Sequence, residues 1–259
     1  MSSGPPVVDL NADLGESFGA WRLGDDEAML SVVTSANVAC GFHAGDPLTL
    51  RRACAAAVAR GVAIGAQVSY RDLAGFGRRE MDVPAAELEA EILYQIAALD
   101  GIARAEGGRV SYVKPHGALY HRVTRDHAQA AALAAAIASY DARLPLLTLP
   151  AGPAGTARAA AAAAGLTVVA EAFADRGYTR AGGLVPRGRP GAVLTDPGQV
   201  AARAVAMVTS GELESADGDR VAVEFRSLCI HGDTPGAVTL ARAVRQALAQ
   251  AGARLAPFG

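Results

Sequence analysis

The sequence predicts an α/β fold, a TIM-like (β/α) barrel of seven strands, closed or incompletely closed. Two observations predict it. Short β-rich runs alternate seven times with longer amphipathic or Ala-rich stretches, a pattern that gives parallel strands with right-handed crossovers. Reactive side chains also follow nearly every strand run. A barrel gathers its strand C-termini on one face, whereas an open sheet would scatter some of them.

The strand runs are "VVDLNA" (7–12), "ANVAC" (36–40), "GVAIGAQVS" (61–69), "VSYVKP" (110–115), "LPLLTLP" (144–150), "LTVVAEAFA" (166–174) and "SLCIHG" (227–232). Helices are expected near 25–35, 47–60, 84–106, 126–140, 153–164, 196–210 and 235–252. Asp46-Pro47, Pro84 ahead of Glu87, and Asp196-Pro197 supply start signals. Glycines at 61, 107, 165, 211 and 252 close five helices. One barrel domain over 7–259 follows, with residues 1–6 as a disordered lead-in.

With 51% hydrophobic residues, 19% charged and a net charge of −2, the composition is that of a globular enzyme. It argues against binding to nucleic acid or a membrane surface. No apolar run approaches the roughly 20 residues of a membrane span, and "MSSGPPVVDL" lacks the features of a signal peptide. Cys40, Cys54 and Cys229 show no CxxC pairing. Reduced thiols and a cytoplasmic location are expected.

In "DLNADLGE", Asp9, Asn11 and Asp13 alternate and share one face of an extended segment, with Glu16 just beyond. Carboxylates so close suit acid/base work or a metal. "ACGFHAGD" surrounds His43 with glycines and places Asp46 at a helix start. Gln67 and Tyr70 follow the third strand, Glu171, Asp175 and Arg176 the sixth, and His231 and Asp233 the seventh. His121 and His127 fall at a helix entrance and receive no role. No HxxxH or HxH spacing appears, so a metal would need ligands from separate strands, and none is assigned. "GFGRRE" (75–80), which contains Arg78, has no third glycine and opens no helix, so it is no dinucleotide motif. A GxxxxGK[ST] loop is also missing. The Gly-rich segment 175–191 carries Arg176, Arg180, Arg187 and Arg189, and is a candidate lid over an anionic substrate.

Lys114 is the only lysine among 24 basic residues and lies two positions before His116 in "YVKPHGALY". Lysine is a compact point charge whose pKa shifts on burial, where arginine is forked and permanently charged. Pro115 keeps the segment extended, so Lys114 and His116 project to the same side.

Together, "DLNADLGE", "ANVACGFHAGD", "GFGRR", "VKPHGALY", "FADRGY", "LVPR" and "HGD", in that order, closely resemble the LamB/YcsF family. The resemblance runs from Val8 to the last helix. It implies a seven-stranded barrel distantly similar to polysaccharide deacetylases. It further implies ATP-dependent opening of 5-oxoproline to glutamate, with 5-oxoprolinase subunits B and C as partners. One departure is Ala66-Gln67-Val68-Ser69, where many members carry Ala-His-Pro-Gly/Ser. Glutamine cannot shuttle a proton.

The reading is a lactam-opening hydrolase subunit, with ATP bound by its partners. Asp13 or Asp46 would be the base, Lys114 and His116 would stabilise the developing anion, and His43 would position water. Asp9, Asn11, Glu16, Gln67, Tyr70, Arg78, Glu171, Asp175, Arg176, His231 and Asp233 are the expected substrate contacts. Two alternatives stay open: a metal-dependent deacetylase acting on a sugar amide, and a non-catalytic 5-oxoproline-binding subunit.

Overall fold

The computed structural model describes residues 4–150, 155–232 and 236–258. Seven parallel strands form the barrel: β1 (Val7–Leu14), β2 (Ser35–Ala39), β3 (Ala63–Val68), β4 (Val110–Pro115), β5 (Leu146–Thr148), β6 (Val168–Phe173) and β9 (Ser227–Ile230). Each pairs with the next, and β9 pairs with both β6 and β1. The barrel is therefore closed.

Helices α1 (Asp26–Leu30), α2 (Pro47–Arg60), α3 (Ala85–Ala105), α5 (His127–Asp141), α6 (Gly155–Ala163), α7 (Pro197–Ser210) and α8 (Ala237–Gln250) follow the strands. Their apolar faces pack on the barrel; on α8, for example, Leu240, Val244 and Leu248 repeat every four residues and are buried. Asp46 and Asp196 cap α2 and α7 ahead of first-turn prolines, and Gly61 and Gly211 end them in the left-handed conformation.

Four features depart from the periodicity. The first expected helix is shorter than 25–35, because β-branched Val32, Val33 and Thr34 turn into β2. A short helix, α4 (Gly117–Arg122), begins directly after β4. An antiparallel hairpin, β7 (Glu212–Glu214) with β8 (Arg220–Ala222), precedes β9. A two-residue strand, β10 (Arg254–Leu255), pairs with the start of β1, and Arg254 N donates to Pro6 O. Pro6, within the expected lead-in, is thereby held to the barrel.

Gly65 on β3 shows how the polar interior is accommodated. A Cβ there would lie 2.1 Å from the Tyr112 ring. Only glycine lets that ring cross the barrel, where its hydroxyl donates to Asn37 Oδ1 at 2.6 Å.

Candidate active site

The alternation of β1 stacks Asp9, Asn11 and Asp13 inside the barrel at successive levels. Asp9, the deepest, accepts from Thr34 Oγ1 and Ser35 Oγ at 2.6 Å each, and from the Ser227 hydroxyl. Burial raises its carboxyl above the usual range despite these donors. Asn11 donates to Ser227 Oγ (2.6 Å) and accepts from Asn37 Nδ2 (2.7 Å). Both stand among the expected substrate contacts. They instead form the polar column beneath the cavity, because a strand entering the barrel reaches its mouth only at Asp13.

Lys114 lies on that column, 3% exposed. Its Nζ is 2.7 Å from Glu171 Oε1, 3.2 Å from Asp13 Oδ1 and 3.3 Å from Cys229 Sγ. Burial disfavours the ammonium, but Asp13, Cys229 and Glu171 outweigh it and hold its pKa well above the ordinary value. Burial likewise works against the Asp13 carboxylate, yet the Lys114 ammonium above all keeps its pKa depressed. Tyr120 on α4 donates to Glu171 Oε2 at 3.0 Å, fixing the second carboxylate.

One level higher, His43 and His116 stack with centroids 4.1 Å apart and planes 18° from parallel. Glu16 Oε1 lies 4.0 Å from His43 Nε2 and 3.8 Å from His116 Nε2, and Gln67 Oε1 is 3.3 Å from His43 Nε2. The "GFGRR" loop closes over the pair. Phe76, at φ 56°, sets its ring edge-on to both imidazoles, and a Cβ on Gly77 would meet Ser69 Oγ at 2.3 Å and His43 Cβ at 2.9 Å. Burial lowers the His43 pKa to about 4 and drives that of His116 well down, with His43 adding to the effect on His116. Both rings are neutral at pH 7.

Among the described residues, Glu16, His43 and His116 form a group of potential metal donors. They fit a metal poorly. Near-parallel stacked rings aim their Nε2 lone pairs side by side rather than at one point. Among the described residues, His43 Nδ1 and His116 Nδ1 are buried without a hydrogen-bond partner, whereas a ligating histidine ordinarily donates its second N–H to a fixed acceptor.

Above these groups a cavity of about 610 Å³ opens at the strand C-termini. Asp13, Lys114, His116, Arg78, Arg176 and His231, all candidate residues in the sequence, line it. Asp175, fully buried, grips His231 from behind, with Oδ2 2.9 Å from Nδ1 and accepting from the His231 N–H at 3.1 Å. Arg176 donates Nε to Ala192 O (2.9 Å) and a terminal nitrogen to Val185 O (2.7 Å), stitching its loop shut. Leu184, Val185, Pro186 and Arg187 of that loop form part of the wall. Arg180 instead pairs with Asp219 on the surface.

Two expected residues stand elsewhere. Asp46 is a helix cap: its carboxylate accepts from Thr49 Oγ1, Gly19 N, Thr49 N and Leu48 N. These bonds, the Thr49 hydroxyl's first among them, hold its pKa at about 2, so it is unsuited to be a base. Tyr70 is buried against α5, its hydroxyl bonded to Gln129 Oε1, and does not line the cavity. Asp233 lies outside the described residues. Sequence reasoning missed Tyr120, His121, Arg125, Glu80 and Phe173 in the wall. Tyr120 had a signal, four residues beyond His116 at a helix start. His121 looks in sequence like an ordinary helix-entrance residue.

The LamB/YcsF family model matches residues 8–259. The chain belongs to the LamB/YcsF family. Among its LamB/YcsF relatives, the 5-oxoprolinase A subunit of Streptomyces avermitilis is 61% identical over 252 residues, covering 97% of this chain and 100% of the relative. The lactam utilization protein of Thermus thermophilus superposes with a TM-score of 0.92 at 49% identity, over 97% of this chain and 99% of that one. A family 4 carbohydrate esterase from Streptomyces lividans superposes with a TM-score of 0.51 at 12% identity, over 99% of this chain and 95% of that one. The last likeness shows that the LamB/YcsF barrel shares its fold with the esterase, and nothing of chemistry.

Proposed function

We propose that this chain is the A component of a 5-oxoprolinase and opens the 5-oxoproline ring by hydrolysis to glutamate. The observation that carries the reading is the full-length match to a relative named as the 5-oxoprolinase A subunit. The cavity supports it. An arginine wall that includes Arg78 and Arg187 suits a small carboxylate, and the charged floor beneath suits a polarised amide.

Lys114, kept protonated by Asp13 and Glu171, supplies fixed positive charge against which a developing oxyanion is stabilised. His116 on the cavity wall, backed by the buried His43, Glu16 and Gln67, positions the water. An unstrained five-membered lactam is an unreactive amide, so ATP activates it on subunits B and C. The lack of a phosphate loop in this sequence agrees with that division of labour. Its buried free thiols suit the cytoplasm, and among the described residues no helix is long and apolar enough to cross a membrane.

The test is reconstitution. The chain mixed with subunits B and C releases glutamate only when ATP is present, and the pure isolated chain does not turn over. Glutamate formation by the isolated chain would overturn the dependence on partners. Failure of the complete mixture would overturn the reading itself.

A further inference from the structure

Ring opening needs a group that takes a proton from water and returns it to the leaving nitrogen. The groups described so far serve poorly. Asp13 is held as a carboxylate by Lys114 and by Asn37 Nδ2 at 2.9 Å. Asp46 caps a helix, Glu171 is sealed beneath Lys114 and Tyr120, and among the described residues no acceptor orients Nδ1 of His43 or His116.

His231 differs from them. It follows β9, beside β6, which ends just before Asp175. The Asp175 carboxylate lies 2.9 and 3.2 Å from His231 Nδ1 and also accepts the His231 backbone N–H at 3.1 Å. The ring stacks on Phe173 with centroids 5.3 Å apart and planes 18° from parallel, which fixes its plane. Burial would protonate Asp175, but the hydrogen bonds it accepts from the His231 ring and backbone N–H, with the Arg176 guanidinium nearby, keep the carboxyl below its usual range. A carboxylate only accepts, so the proton sits on Nδ1 and the lone pair on Nε2, the ring edge away from Asp175. His231 lines the cavity.

We propose that His231 carries the proton in lactam opening and that Asp175 is its positioning residue. This rests on the ring-opening reading above. As water adds, its oxygen bonds to the carbonyl carbon and one proton passes to Nε2. As the carbon–nitrogen bond breaks, its electron pair goes to nitrogen, and Nε2 returns that proton to nitrogen. His231 ends as it began, with one water added across the bond. Phosphoryl transfer from ATP to the lactam oxygen precedes this step on the partner subunits; ring opening then leaves the new carboxyl as an acyl phosphate, from which a second water releases phosphate.

The experiment combines a spectrum with an assay. In ¹⁵N-labelled chain, the His231 imidazole signals should show Nδ1 protonated and Nε2 bare near neutral pH, and Asp175→Asn should shift that balance toward Nε2–H. In the reconstituted complex with ATP, His231→Gln should lower kcat by on the order of 10²–10⁴-fold with KM changed only a few-fold. His231→Ala should regain part of the rate with added imidazole, which a purely structural role would not produce. Wild-type turnover alongside near-wild-type kcat in folded His231→Gln, or the opposite tautomer, would overturn this proposal alone. No glutamate from the wild-type complex would remove the ring-opening reading and this proposal with it.

Discussion

Lys114 Nζ and Glu171 Oε1 meet at 2.7 Å inside the barrel, and neither side chain is more than 4% exposed. The contact joins β4 to β6 across the interior, so the single lysine is a structural charge as well as a candidate catalytic one. Asp13 completes the cluster.

Lys114→Arg keeps the charge but forces a planar fork into a space sized for an ammonium. The expected outcome is a kcat loss on the order of 10²–10³ in the reconstituted complex. Lys114→Met should also destabilise the chain by about 3–5 kcal/mol in urea denaturation, since it strands two buried carboxylates. Near-wild-type activity for Lys114→Arg would make the lone lysine an accident.

Acid should unfold the protein through its stacked histidines. Burial holds His43 at about 4, below the ordinary 6.5. Between those values the unfolded chain binds a proton that the folded chain refuses, so stability rises with pH across the window and falls on acidification. His43 alone accounts for about 3 kcal/mol by pH 4, and His116, also lowered, adds to it. Asp13 and Asp175, both depressed, contribute further loss only at still lower pH. Urea midpoints measured at neutral pH and at successively more acidic values should decline steadily, and His43→Gln should flatten the slope.

Asp46→Ala should cost about 0.5–2 kcal/mol of stability through loss of the α2 cap, while kcat stays within a few-fold. A collapse of kcat without any stability change would return Asp46 to the chemistry.

Gln67→His should be tolerated, since Gln67 meets His43 Nε2 only through a contact of 3.3 Å. His116→Ala should not, because it removes the ring that stacks on His43 and meets the Phe76 ring edge-on. Steady-state assays of both variants decide this, and a gain of orders of magnitude in Gln67→His would mark the present site as degenerate.

Local pattern is enough to specify seven alternating strands and helices, because most carry their own periodicity or start signals: Asp46-Pro47 and Asp196-Pro197 open helices where they stand. The order of the motifs likewise specifies the family, and strand-end placement brings Asp13, Lys114, His116 and His231 to one cavity. Which polar residues face that cavity is settled in three dimensions. Asp9, Asn11 and Asp13 read alike along β1, yet depth in the barrel makes two of them column and one of them rim. Asp175 and His231 lie far apart in the chain, and their pairing exists because β6 and β9 are neighbours. Closure itself is such a fact, since β1 and β9 come from opposite ends of the chain and no local pattern encodes their hydrogen bonds.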